Sequence, residues 1–451
     1  MFAKKNGDFY LSEEEYVMDK LRVGVIGFGT VGAGVVETIY KNAALIGART
    51  GVEPVVTHIS DLDTTTDRGI KVPDGVLGND AMALIAADDV DVVVELVGNP
   101  PVAKKFISEA LKRGKSVVTA NKALLAQYGQ ELFALARENN AEIYFEASVG
   151  GGIPCIKALR EGLVANRIGQ MYGILNGTCN YILPRMEAEK ADFDGVLKAA
   201  QAAGYAEANP ATDVDGLDTA NKAAILASLA YGKWFTLDDV TVRGIRDVTL
   251  TDIEFANDLG YKIKLLAVIK SLNNNKIQLC VQPSLVAKSS LLGNVSGVFN
   301  ALWVNGDIVG ATMYYGRGAG RAATSSAVVA DLTDLALNRA KKAGGRLPAF
   351  PVYDETLRLA TKAEITNRFY IRLEVKDKPG VLGRVAGIFG KYGISIASVS
   401  QREHEGHGQV PMLMLTDSAP QQAMESALAE IAQDEAVLEA PVCFPVEDLA
   451  E

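Results

Sequence analysis

Leu21-Arg22-Val23-Gly24-Val25-Ile26-Gly27-Phe28-Gly29-Thr30-Val31-Gly32 decides the fold. Its first half is a short apolar run rich in Val and Ile, the composition of a strand buried on both faces. Its second half is G-x-G-x-x-G, and the residues after it, through Asn42, keep helical spacing. Glycine has a separate task at each position. The first permits a tight turn, the second lets backbone approach a pyrophosphate, and the third lets helix pack on strand. The unpaired N–H groups and dipole of the helix start then favour a bound anion. The competing reading is a glycine turn kept only for packing. The flanking strand, and the βα units that follow, favour a dinucleotide.

Working outward, PVVTHIS (54–60), DVDVVVELVG (89–98), SVVTA (116–120) and EIYFEAS (142–148) read as further strands. AKKFISEALKRG (103–114) and ALLAQYGQELFALARENN (123–140) read as helices between them. Such alternation predicts an α/β fold, a Rossmann-like doubly wound parallel sheet. It should span 21–148 and be completed by a helix over 324–345. Residues 1–20 read as a polar extension, with Met18 an alternative start. From 149 to 323 the pattern becomes α+β, with glycine clusters, helices such as LDTANKAAILASLAYG (217–232), and strands around 241–253 and 276–286. This is the expected catalytic and dimerisation domain. GGRLPAFPVYD opens a Pro/Gly-rich linker over 346–368. A ferredoxin-like βαββαβ pattern is expected over 369–446.

Composition narrows the function. The 451 residues are 48% hydrophobic and 22% charged, ordinary for a globular chain of about three domains. A net charge of −10 gives no basic patch for nucleic acid, and no apolar run is long enough for a membrane span. Cys155, Cys179, Cys280 and Cys443 show no metal or disulfide spacing, which fits a reducing, cytoplasmic setting. With only His58, His404 and His407 present, acid–base work is expected to fall to Lys, Asp or Glu.

Two places carry that chemistry. Lys122 follows the strand SVVTA, so it lies at the carboxyl end of a parallel strand, where such sheets bind ligands. In GYAEANPATDVDGLDTANK (204–222), Asp218 and Lys222 are four residues apart and share a helix face with Asp215, with Glu207 in the loop before. That spacing also occurs on ordinary exposed helices. Here the helix is otherwise apolar, so acids beside a half-buried lysine can grip a substrate ammonium while the lysine handles a proton. At the end of the second strand, Asp61 is placed to accept from a ribose 2′-OH, whereas Arg68 favours a 2′-phosphate.

The motifs GFGTVG (27–32), TANK (119–122), EASVGGGIP (146–154), ILNGTCNYIL (174–183), GYAEANPATDVDGLDTANK (204–222) and GRGAG (316–320) together resemble the homoserine dehydrogenases. The resemblance runs over nearly the whole chain from Leu21. It implies NAD(P)-dependent interconversion of L-homoserine and L-aspartate 4-semialdehyde, on the way to threonine and methionine. By motif, Lys222 resembles the family's proton donor and acceptor, and Lys122 the lysine near nicotinamide and substrate. Glu207 and Asp218 resemble the carboxylates that hold the substrate amino group, with Thr178 beside them. Gly27, Phe28, Gly29, Thr30, Val31 and Gly32, with Lys122, Gly204 and Gly318, are the implied NADP or NAD contacts. Glu146, Val149, Gly151 and Ile153 match a monovalent cation site for sodium or potassium. Cys179 stands where the family often has Thr, and Ser60 where NADP-preferring relatives carry Arg.

The C-terminal segment is similar to an ACT domain, which implies an amino-acid effector such as threonine and a homodimer or homotetramer. The other reading is an assembly module that binds nothing. With no kinase region ahead of it, the chain is expected to be monofunctional. Two rivals remain at this level: another NAD(P)-dependent amino-acid or semialdehyde oxidoreductase, and a non-catalytic amino-acid sensor.

Overall fold

The computed structural model describes residues 3–5, 8–10, 19–272, 275–345, 350, 354–401 and 408–449. Met18, His404 and His407 lie outside them. The chain forms two compact units. The first gathers the residues through Ala120, Leu132–Phe145 and the stretch from Ser325. The second holds Asn121–Glu131, Glu146–Thr324 and the remainder of the chain.

Two short strands, β1 (Ala3–Lys5) and β2 (Asp8–Tyr10), pair antiparallel within the stretch read as an extension. The expected start at Leu21 is two residues late, because β3 runs Asp19–Ile26 with Asp19 and Lys20 already in register with Val52 and Glu53. After it come α1 (Thr30–Thr50), β4 (Val52–Ser60), β5 (Leu77–Gly78), α2 (Ala81–Ala86), β6 (Val92–Glu95), α3 (Pro100–Lys112), β7 (Ser116–Thr119), α4 (Lys122–Glu138) and β8 (Ile143–Tyr144). The sheet order is β5-β4-β3-β6-β7-β8 and every pairing is parallel. The order reverses between β3 and β6, which opens a ligand crevice at their carboxyl ends. Strand β6 is buried at all four residues, as expected where helices cover both faces. EIYFEAS gives only the two-residue β8, because Glu146–Ser148 turns into a 3₁₀ helix.

The second unit carries α5 (Cys155–Lys157), β9 (Ile168–Ile174), α6 (Gly177–Glu189), α7 (Phe193–Ala202), α8 (Ala211–Val214), α9 (Leu217–Tyr231), β10 (Thr241–Val242) and α10 (Leu250–Asp258). There follow β11 (Tyr261–Leu272), β12 (Lys276–Ala287), β13 (Phe299–Gly306) and β14 (Gly310–Arg317). The helix α11 (Arg321–Ala340) then returns to the first unit. There Ser325 Oγ donates to Val31 O and Asn338 Nδ2 to the Tyr144 hydroxyl. The last elements are β15 (Arg358–Leu359), β16 (Thr366–Lys376), α12 (Val381–Lys391), β17 (Ile396–Gln401), β18 (Gln409–Thr416), β19 (Ala419–Pro420), α13 (Gln421–Ile431) and β20 (Val442–Glu447).

The order β20-β16-β18-β17 with two helices is the ferredoxin-like βαββαβ arrangement. Its first strand, β16, already starts at Thr366, three residues ahead of Phe369. The stretch read as a linker contains β15, paired in parallel with β12, and lies partly outside the described residues. This C-terminal sheet is not separate. β20 pairs in parallel with β12 through Leu285–Val446 and Val286–Glu447, so one sheet runs from β14 to β17. A buried polar knot joins the same parts. Asp252, fully buried at the start of α10, accepts from the Tyr370 hydroxyl at 2.7 Å and Arg372 Nε at 2.8 Å. Such a buried pair is costly to break from one side, because it strands the other charge.

Candidate functional site

In the first unit the glycine loop closes on itself. Gly27 has φ +96°, and a Cβ there would meet the Leu96 carbonyl at 2.8 Å. A Cβ on Gly32 would lie 1.9 Å from the Gly27 oxygen, so neither position admits a side chain. Gly29 caps α1 without a side-chain hydrogen bond, the first turn holds no acid, and nothing lies near where its Cβ would be. The α1 N-terminus therefore faces open space, as a pyrophosphate requires. Thr30 and Val31 begin the helix, and Phe28 is buried with its N–H on Asp61 Oδ2 at 2.5 Å. A cavity of about 540 Å³ adjoins this loop, lined by Gly27, Gly29, Ser60, Asp61, Leu96 and Met82 among others. Asp61 thus braces the loop as well as facing the crevice. Arg68, the candidate 2′-phosphate partner, is paired with Asp63 at 2.9 Å.

Glu95, at the end of β6, carries a role the sequence did not single out. It is fully buried, accepting from the Thr119 hydroxyl at 2.7 Å and Val97 N–H at 2.6 Å. Burial pushes its carboxyl up to about 7, against the two hydrogen bonds. The carboxylate ties the end of β6 to the end of β7, three residues before Lys122.

In the second unit the lysines and acids converge. Helix α9 is buried along most of its length, which an exposed-helix reading would not give. Lys222 Nζ donates to Asp218 Oδ2 at 2.7 Å and to the Leu175 carbonyl at 2.6 Å. Lys122 reaches the other oxygen, Oδ1, at 3.1 Å. Lys222 is 8% exposed, whereas the Lys122 side chain is 40% exposed. An ammonium has three N–H groups, and among the described residues one on Lys222 is unclaimed. Burial alone would raise the Asp218 carboxyl. The ammonium groups of Lys222 and then Lys122, with hydrogen bonds from Lys222 and Asn176, outweigh it and hold Asp218 well below the usual carboxylate range.

Two further residues organise this cluster. Asn176 caps α6 through the Cys179 N–H and donates to Asp213 Oδ1 at 2.7 Å and Asp218 Oδ2 at 3.0 Å. The Thr178 hydroxyl lies 3.0 Å from both Asp213 Oδ2 and the Tyr205 carbonyl, which share its one proton. The motif ILNGTCN contained the signal: Asn before a helical run is a cap, and Asp213 is one of several acids in the next motif. Cys179 is buried with Sγ on the Asp213 carbonyl. Asp215, expected on the Lys222 face, instead pairs with Arg246. It precedes the helix, where Gly216 turns the chain with φ +87°. Glu207 and Gly204 lie exposed on the loop after α7, and the Glu207 carboxylate contacts neither lysine.

The glycine clusters meet each other. A Cβ on Gly151 would fall 2.4 Å from the Gly318 carbonyl, and Gly152 N–H donates to the Arg317 carbonyl at 3.1 Å. Glu146 turns its carboxylate onto the Ile156 and Lys157 N–H groups, at 2.9 and 2.8 Å, and burial raises it to about 7. Ile153 gives its carbonyl to Cys155 N–H. The carbonyls of Val149 and Gly151 are buried and, among the described residues, accept no hydrogen bond.

Three family models match: homoserine dehydrogenase over residues 154–333, homoserine dehydrogenase NAD-binding domain over 27–146, and ACT domain over 369–436. The homoserine dehydrogenase of Neisseria gonorrhoeae is 42% identical over 417 residues, covering 92% of this chain and 95% of that protein. That of Bacillus subtilis is 38% identical, covering 95% and 99%. The crystal structure of a homoserine dehydrogenase from Thiobacillus denitrificans superposes with TM-score 0.90 at 38% identity, covering 96% of this chain and 99% of that one. A hyperthermophilic archaeal homoserine dehydrogenase in complex with NADPH gives TM-score 0.61 at 29% identity over 72% of this chain and 98% of its own.

Glu95 yields a pH signature. Burial holds its carboxyl near 7, above the ordinary carboxyl value of 4.5, so native protein binds this proton more tightly than unfolded chain. The group therefore costs stability progressively as pH rises from about 4.5 to 7. Glu95→Gln removes that cost. Urea unfolding at pH 5 and pH 8 should show the variant gaining on the wild type at pH 8, by up to about 3 kcal/mol. A gap unchanged between the two pH values would mean the carboxyl is not burdened by burial.

Proposed function

We propose a division of labour among the site residues of this chain, which belongs to the homoserine dehydrogenase family of NAD(P)-dependent oxidoreductases. The observation that carries it is the one N–H of the buried Lys222 ammonium that no described residue claims. In the direction of semialdehyde reduction, negative charge builds on the carbonyl oxygen. A preorganised ammonium stabilises that charge and supplies the proton. Lys222 takes this role, because Asp218 and the Leu175 carbonyl fix its other two donors. Lys122, more exposed and held by the same carboxylate, assists at the substrate oxygen and on the cofactor side. Asp218, with Asn176 and Asp213 behind it, keeps both cations in place, and Thr178 lines the substrate pocket. Glu207 grips the substrate ammonium from its loop.

Bound NAD(P) supplies the hydride acceptor and donor. Gly27 to Gly32 would hold its pyrophosphate, with Gly204 and Gly318 as further contacts. Asp61 at the strand end, and Arg68 engaged by Asp63, favour the unphosphorylated ribose. The unpartnered carbonyls of Val149 and Gly151, hard oxygen donors, fit a sodium or potassium ion together with Glu146 and Ile153. The C-terminal module supports regulation, and threonine is the effector we propose, in a homodimer or homotetramer.

A spectrophotometric assay of NAD+ and NADP+ reduction with L-homoserine tests these roles. Lys222→Ala should lower kcat by about 10²–10⁴-fold while cofactor affinity holds. Near-normal turnover in that variant rejects the proton-transfer assignment. Glu207→Ala should mainly raise the KM for homoserine, and an unaltered KM makes it a loop acid only. Threonine added to the wild-type assay should inhibit. Full activity at saturating threonine leaves the C-terminal module to assembly alone.

A further inference from the structure

Away from the α9 cluster, the second unit contains a cavity of about 220 Å³. Leu183, Pro184 and Glu187 of α6 form one wall, Lys262 and Lys264 of β11 another, and Gly293, Asn294 and Ser296 the rim. None of the residues assigned above to substrate, cofactor or cation lines it.

Its charges do not balance. Lys264 is only 3% exposed, and its ammonium donates to Asn180 Oδ1 at 3.2 Å and to the Val295 carbonyl, both neutral. Among the described residues no carboxylate forms an ion pair with it. Lys262, nearer solvent, already holds both oxygens of Glu187 at 2.6 Å. Two ammonium groups therefore face one carboxylate, leaving one positive charge on the wall of an open cavity. A buried charge without a counter-charge is costly, and a partner of opposite sign offsets that cost. Burial, then Lys262, pushes Lys264 down to about 8 against the pull of Glu187, and a bound anion would favour its charged form. At the rim the exposed Ser296 adds a hydroxyl that no described residue claims.

We propose that this cavity is a second ligand site, taking a small singly charged anion, with the Lys264 ammonium as its counter-charge. The volume suits a small carboxylate, and the same chemistry admits an inorganic anion. The site also touches α6, the helix that carries Thr178. Asn180, which Lys264 holds, lies on α6 two residues beyond Thr178 and donates to the Gly297 and Phe299 carbonyls.

The test is thermal unfolding of the full chain in acetate, lactate, phosphate or chloride at constant ionic strength. A saturable rise in Tm is expected in the wild type and none in Lys264→Met. Because Lys264→Met alters a buried site and so changes stability by itself, two wall variants, at Lys262 and Glu187, change the charge without touching the buried lysine. Lys262→Gln should raise the midpoint concentration, and Glu187→Gln should lower it, each by about tenfold. Saturation by acetate and lactate but not phosphate identifies a carboxylate site; saturation by phosphate as well identifies a general small-anion site. Both outcomes support the proposal. Equal responses in wild type, Lys262→Gln and Glu187→Gln overturn it. So does a response lost in Lys122→Ala, which would assign the anion to the α9 cluster.

Discussion

One carboxylate serving two ammonium groups is the constraint around which the second unit is arranged. Asp218 is almost fully buried, and its negative charge is tolerable there only because Lys222 and Lys122 sit on opposite oxygens. Each neighbour follows from that need. The Leu175 carbonyl occupies a second donor of Lys222, Asn176 bridges to Asp213, and Thr178 fixes Asp213 to the loop at Tyr205. The end of β9, the cap of α6 and the start of α9 are thus held by one hydrogen-bonded set. Such sets act as a unit, so removing any member affects the orientation of the rest.

Where the amino-acid pattern was informative, it was so for simple reasons. Parallel strands covered on both faces need continuous Val and Ile runs, so β3, β6 and β7 stood out without ambiguity. The glycines at 27, 29 and 32 were legible because turn, phosphate approach and helix packing each exclude a Cβ. Asp218 and Lys222 were legible as a pair from their spacing alone. Other features depend on partners distant along the chain. Nothing local marks Glu95 as buried under Thr119, 24 residues on. Asp215 looked equivalent to Asp218 until Gly216 turned it toward Arg246. EIYFEAS is apolar enough for a longer strand, yet β8 stops at Tyr144 because the Glu146 carboxylate accepts from the first N–H groups of α5.

Lys264 belongs to the same class of hidden feature. In YKIKLL (261–266) it alternates with apolar residues as a solvent-facing strand lysine would. In the folded chain α6 lies over that position, and the side chain is enclosed beside Asn180. A lysine covered by a helix is a different chemical object from one in water, because its charge must be met locally.

The parallel joint between β12 and β20 bears on how this chain can be divided. A polypeptide ending before Thr366 would not simply shed an appendage. It would uncover the backbone of Leu285 and Val286, leave Lys270 without Glu447, and strand Asp252 without Tyr370 and Arg372. An open, apolar sheet margin of that kind recruits other chains. Fragments made by truncation or by protease nicking in that stretch are therefore candidates for self-association rather than for independent enzymes.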